Sequence, residues 1–145
     1  PTRLYKTITD SDRDSTEIIE KDVQQIDVSF LKTLEKGDIL FIDSTHVSKC
    51  GSDVNYILFE ILPILPKWVY VHFHDIFYPF EYPKEWVYEG KNWNENYILR
   101  AFLMHNKDYK IKIFSDYLHE HHSEVFKDMP LTYKNSGGNL WLEKV

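Results

Sequence analysis

Two short stretches carry the side chains best suited to chemistry, Asp43-Ser44-Thr45-His46 and His72-Phe73-His74-Asp75. Each ends an apolar run, so carboxylates and imidazoles arrive where a buried strand would stop. Two carboxylates and one or two imidazoles sharing a crevice can hold a divalent cation or run acid–base chemistry. Carboxylate and water oxygens suit Mg²⁺, whereas Mn²⁺ or Zn²⁺ accept imidazole more readily. A histidine, with an ordinary pKa of about 6.5, is the usual proton acceptor at neutral pH. A lone Asp or His at a strand end most often caps a helix or bonds a carbonyl. Four such residues at the ends of two successive strands favour function. His72 is expected to be structural, turned away from the face that carries His74.

For these residues to meet, their two strands must be neighbours. Asp38–Asp43 (DILFID) is an unbroken apolar run between two acids, as in a parallel strand buried on both faces. Ser52 can cap a following helix in which Val54, Ile57, Leu58, Ile61, Leu62 and Leu65 recur at helical spacing. Pro63 and Pro66 close that helix. Trp68–His74 (WVYVHFH) is β-branched and aromatic and predicts the next strand. Strand, helix and strand over 38–74 make a right-handed βαβ unit. Adjacent strands stand about 5 Å apart, which would set Asp43 beside Asp75 with His46 and His74 close by. Ligands of such sheets bind beyond the carboxyl ends of the strands.

The rest of the chain completes the layers. Residues 1–15 are polar and predict an entry loop or a frayed helix, and Thr16–Glu20 predicts a short strand around Ile18 and Ile19. Val28–Glu35 has helical spacing. Residues 75–93 form a long aromatic stretch, expected to be a lid or pocket wall because loops beyond about 12–15 residues are usually functional. A helix is predicted over 94–105, with Ile98, Leu99, Phe102 and Leu103 on one face, then a strand over Tyr109–Ser115 and a helix over Tyr117–Phe126. Pro130–Gly138 reads as a loop and Asn139–Glu143 as a short final strand. The order predicts one α/β domain with a mostly parallel sheet and flanking helices.

Composition narrows the classes. With 145 residues, 43% of them apolar and 16% aromatic, the chain can build one substantial core, which excludes a disordered tail. A net charge of −6 makes it a poor ligand for nucleic acid. No apolar run is long enough to span a membrane. The single cysteine, Cys50, excludes an internal disulfide and fits a reducing compartment, and the polar N-terminus lacks the apolar core of a signal peptide. A cytoplasmic location is expected.

Asp38–His46 (DILFIDSTH), Gly51–Leu65 (GSDVNYILFEILPIL), HFHDIFYPFEYPKEW and NENYILRAFL together resemble the C-terminal part of a class I S-adenosylmethionine-dependent methyltransferase. The likeness is to the group whose fourth strand ends in Asp-x-x-His, which includes small-molecule and sugar O-methyltransferases. It implies a Rossmann-like fold with strand order 3-2-1-4-5-7-6, S-adenosylmethionine as cofactor and a small-molecule acceptor. By the same resemblance Asp43 lies beside the methionine moiety of the cofactor, and Asp22 with Val23 lies where the adenine amino group is received. Asp43, His74 and Asp75 would hold a divalent cation such as Mg²⁺. His46 would be the base that takes the hydroxyl proton.

One family feature has no counterpart here. All five glycines (37, 51, 90, 137 and 138) lie away from the turn that follows the family's first strand. Pro1 is not an initiator residue, and the sequence reads as the back portion of such an enzyme, without its first two strands and inactive alone. An edge of strand four left open predicts pairing with a second chain. Two other readings stand beside the enzyme: a methyltransferase-fold interaction module without turnover, and a metal-dependent hydrolase using the same Asp/His cluster. His119-Glu120-His121-His122 lacks HExxH spacing and predicts a solvated helix face. Cys50 predicts an inert loop thiol.

Overall fold

The computed structural model describes residues 4–145 as an α/β domain around a four-stranded mixed sheet. The strands are β1 (Ile39–Ile42), β2 (Tyr70–His74), β3 (Tyr109–Phe114) and β4 (Asn139–Lys144), in the spatial order β1-β2-β4-β3. β1 and β2 are parallel, with Ile39 opposite Tyr70 and Ile42 opposite Phe73. β4 then runs antiparallel to both β2 and β3. The mostly parallel sheet expected from the sequence is therefore not what forms, since β1–β2 is its one parallel pair. The last strand turns back through Gly137-Gly138 and inserts between β2 and β3 instead of extending an edge. Gly138 allows that return, because a Cβ there would stand within 2.8 Å of three atoms of the Phe77 ring.

Helical segments connect the strands. α1 (Asp10–Ser15) is closed by a Thr9–Asp12 capping box. α2 (Asp53–Tyr56) is capped by Ser52, whose side chain accepts from the Asn55 N–H, and winds on through a π turn (Ile57–Ile61) and a 3₁₀ turn (Leu62–Ile64). α3 (Lys84–Tyr88), α4 (Glu95–Leu103), α5 (Ser115–His121) and α6 (Pro130–Lys134) follow. Thr16–Glu20 is not a strand; no strand of the sheet pairs with it. Val28–Thr33 is a 3₁₀ helix. The stretch 75–93 contains α3, and the expected loop 130–138 contains α6. The helix expected over Tyr117–Phe126 starts at Ser115 and breaks at His122, before a 3₁₀ turn over Ser123–Phe126. None of the helices among the described residues is long and apolar enough to cross a membrane.

Strand alternation sorts the sheet into two unlike faces. One face presents Ile42, Val71, Phe73, Leu140 and Leu142, all buried against Val54, Leu58, Ile61 and Leu62 of the helical stretch 53–64 and Leu99 of α4. The other presents the transverse row Phe41–His72–Trp141–Ile113, where Phe41 is 59% exposed and stacks on His72 with ring centroids 4.4 Å apart. His72 and His74, two residues apart, lie on this same face with rings 6.1 Å apart, contrary to the expectation that they diverge. β1 is an edge strand whose Ile39 and Phe41 are exposed. Leu142→Ala should cost about 2–5 kcal/mol in urea unfolding, because it opens a cavity in the covered face. Ile39→Ala, on the exposed edge, should stay within about 0.5 kcal/mol. Equal losses for the two variants would show that the faces are assigned wrongly.

Candidate functional site at the carboxyl ends of β1 and β2

The parallel register sets the site. Asp43 leaves β1 one residue after Ile42, and Asp75 leaves β2 one residue after His74. Two of the residues that follow the strands take the left-handed backbone conformation, His46 at φ +58° and Asp75 at φ +56°. Such conformations cost about 1–3 kcal/mol each and concentrate where the fold must aim a side chain. Here both turns bring their side chains inward to one point.

His46 is at that point, its side chain 6% exposed. Its Nε2 lies 3.6 Å from Asp43 Oδ1 and 3.7 Å from Asp75 Oδ2, while its Nδ1 lies 2.8 Å from Glu95 Oε2. Glu95 is the first residue of α4 and is 1% exposed. The same Oε2 accepts from Ser44 Oγ at 2.8 Å, and Ser44 Oγ accepts the His46 N–H at 2.9 Å. The Asn94 and Glu95 N–H groups both donate to the His46 carbonyl, at 3.0 and 3.2 Å. Trp93 covers the imidazole, with ring centroids 4.2 Å apart. Asp43, by contrast, is 60% exposed and opens to solvent.

The loop carrying His46 is held from two sides. Thr45 donates from its N–H and its hydroxyl to Asp53 at the start of α2, at 2.8 and 2.5 Å. Ser48 N–H donates to Asn94 Oδ1 at 2.6 Å, which ties the loop to the entry of α4. Asp43, His46 and Asp75 are thus brought together, as their types and spacing predicted. His74 stands at the rim, its Nδ1 3.1 Å from Asp75 Oδ1 and its side chain about half exposed.

Electrostatics follow from this arrangement. Burial of His46 pulls its pKa down, but the Glu95 hydrogen bond and the charges of Glu95, Asp75 and Asp43 outweigh it and hold the imidazole above its ordinary value. His72 shifts the other way, because burial and the neighbouring His74 disfavour its charge.

The expected cofactor residues lie on one flank. Asp22 and Val23 line a cleft of about 450 Å³ with Thr45, Lys49 and Asp53. Val23 and Asp53 continue into a second cleft of about 210 Å³ that reaches Asp43 and Ser44. Asp22 and Asp43 thus border different clefts, which share Val23 and Asp53 in their linings. The expected cation ligands are arranged less favourably. His46 Nε2 occupies the position between Asp43 and Asp75, and no three His, Cys, Asp or Glu side chains among the described residues form a group able to hold a metal ion.

Glu95, Ser44 and Trp93 were not singled out from the sequence. Glu95 did leave a signal, since it precedes Ile98, Leu99 and Phe102 by three, four and seven positions and so lies on the buried stripe of α4. The aromatic stretch serves as wall and core together: Tyr82 is buried, and Trp93 packs edge-on against Tyr82 and Trp86. His119 stacks on Phe126, and Cys50 is exposed. Comparisons with known protein families, with curated proteins and with solved structures find no match to this chain.

A raised histidine pKa is also a statement about stability. Folding strengthens proton binding at His46, so its stabilising contribution is complete below the unfolded-state value of about 6.5. That contribution is lost as pH rises through the higher folded-state value. Urea unfolding of the wild type against His46→Gln should show a stability difference that shrinks with increasing pH above about 6.5. A difference that grows with pH would refute the assignment.

Proposed function

We propose that this chain is the substrate-side portion, with part of the cofactor side, of an S-adenosylmethionine-dependent methyltransferase acting on a hydroxyl of a small molecule or sugar. The observation that carries this reading is the position of His46. Its Nε2 faces Asp43 and Asp75 at the carboxyl ends of two parallel strands, and Asp43 and Ser44 in turn border a cleft that Val23 also lines. The sheet order supports it as well. With β1 counted as the fourth strand of the family, β1-β2-β4-β3 reads 4-5-7-6.

When bound, S-adenosylmethionine supplies a methyl group activated on a positively charged sulfur. His46 Nε2 would take the proton of the acceptor hydroxyl. Asp43 and Asp75 would accept from neighbouring hydroxyls of the acceptor molecule and so hold it against Nε2. Enclosure beneath Trp93 limits water and fixes the approach, and such positioning supplies much of the rate in bimolecular transfers. Among the described residues no three His, Cys, Asp or Glu side chains are grouped to hold a cation, and His74 pairs with Asp75 at the rim.

The reading as an interaction module keeps one observation in its favour, the positions of the glycines. Gly37 and Gly51 flank β1 and the start of α2, and neither belongs to a glycine-rich turn. Calorimetry with S-adenosylmethionine separates the two. In a protein that carries this chain together with the strands it is proposed to lack, the methyltransferase reading expects micromolar binding that weakens on Asp43→Ala, whereas a folded protein of that kind without binding is a module. Where turnover is measured, His46→Ala should lower it by roughly 10²–10⁴-fold. The rate should rise with pH through the elevated His46 pKa, because only the neutral imidazole accepts a proton.

A further inference from the structure

We propose that Glu95 is the positioning residue of this site: its carboxylate sets the tautomer and aim of His46 and stabilises the imidazolium formed when Nε2 takes a proton. The inference rests on the methyl-transfer reading for its rate effect, but its structural content can be tested without that reading.

The start of α4 grips His46 at two places. The Asn94 and Glu95 N–H groups hold its carbonyl, and the Glu95 side chain holds Nδ1 at 2.8 Å. A carboxylate only accepts hydrogen bonds, so a donor must face Oε2. Ser44 Oγ supplies one such donor and the Nδ1–H of His46 the other. The neutral imidazole then keeps its lone pair on Nε2, the atom that faces Asp43 and Asp75. A histidine so held is a proton acceptor with one orientation.

Burial supports function over packing. A carboxylate almost withdrawn from water is costly unless fully paired, yet Glu95 Oε1 has no hydrogen-bond partner among the described residues. A glutamine of the same shape could satisfy Ser44 and Nδ1 without burying a charge. The charge itself is therefore the property to explain, and stabilising a positive imidazole beside it is what a carboxylate provides and an amide does not.

Glu95→Gln is the test, because the amide can turn either its oxygen or its NH₂ toward Nδ1. Nitrogen-detected NMR of the wild type, at a pH where His46 is neutral, should show the Nδ1–H tautomer alone. In folded Glu95→Gln the two tautomers should mix, and Glu95→Asp should restore the wild-type preference in part. Methyl transfer, where measured, should fall by roughly 10²–10⁴-fold in Glu95→Gln with S-adenosylmethionine affinity unchanged. A folded Glu95→Gln chain with an unaltered tautomer would overturn the proposal, whatever the reaction. A tautomer change in a chain that neither binds nor uses S-adenosylmethionine would uphold Glu95 and remove the methyl-transfer reading. Ser44→Ala, which leaves Glu95 charged, should keep the Nδ1–H form, and its loss there would assign the orientation to Ser44 instead.

Discussion

Parallel pairing of β1 with β2 is the constraint on which the site depends. The pairing sets Asp43 level with His74, and the next residue of β2, Asp75, then turns back in the left-handed conformation to meet His46. Side chains alternate along a strand, so a slip of one residue would bury Phe41 in place of Ile42 and turn both acids elsewhere. The core enforces the register. Ile42, Val71, Phe73, Leu140 and Leu142 all reach the same apolar layer, which a one-residue slip would break. The geometry of the candidate site is in this sense a consequence of hydrophobic packing one residue upstream.

Charge is concentrated here with little compensation. Asp43, Asp75 and Glu95 surround a single imidazole, and Lys49 is the basic residue on the adjoining cleft. The three acids nevertheless sit in different environments. Glu95 is enclosed, Asp75 is partly covered and Asp43 opens to solvent. A gradient of this kind leaves the outer carboxylates free to meet a ligand while the inner one stays with the protein. The loop between β1 and α2 is fastened at Thr45 and Ser48, so the imidazole is held by packing and hydrogen bonds on every side but one.

The two faces of the sheet differ in a way that bears on association. Helices cover one face, while the row Phe41–His72–Trp141–Ile113 lies on the other with Phe41 and Ile113 exposed. His72 is enclosed between Phe41 and Trp141, and neither ring nitrogen has a hydrogen-bond partner among the described residues. The expectation of self-pairing concerned the free edge of β1 alone, and this face adds exposed apolar side chains beside it.

Local signals were strong where one element sufficed to produce them. The apolar runs of β1 and β2, the Ser52 cap and the stripe of α4 are written in spacing and residue type, because each reports which face of a single segment avoids water. Asp43, His46 and Asp75 were legible as polar residues just past apolar runs, although β1 is an edge strand with Ile39 and Phe41 exposed, not the strand buried on both faces that its run predicts. The antiparallel direction of β4 was not, since strand direction depends on how α5, α6 and the Gly137-Gly138 turn return the chain. Nor was the partner of His46. Glu95 is 49 residues away in the chain, and only packing of α4 against the loop after β1 brings its carboxylate to Nδ1. Sequence alone determined which residues could do chemistry and which strands would carry them. The tertiary structure decided their distances and orientation, because those depend on contacts between segments that no local periodicity encodes.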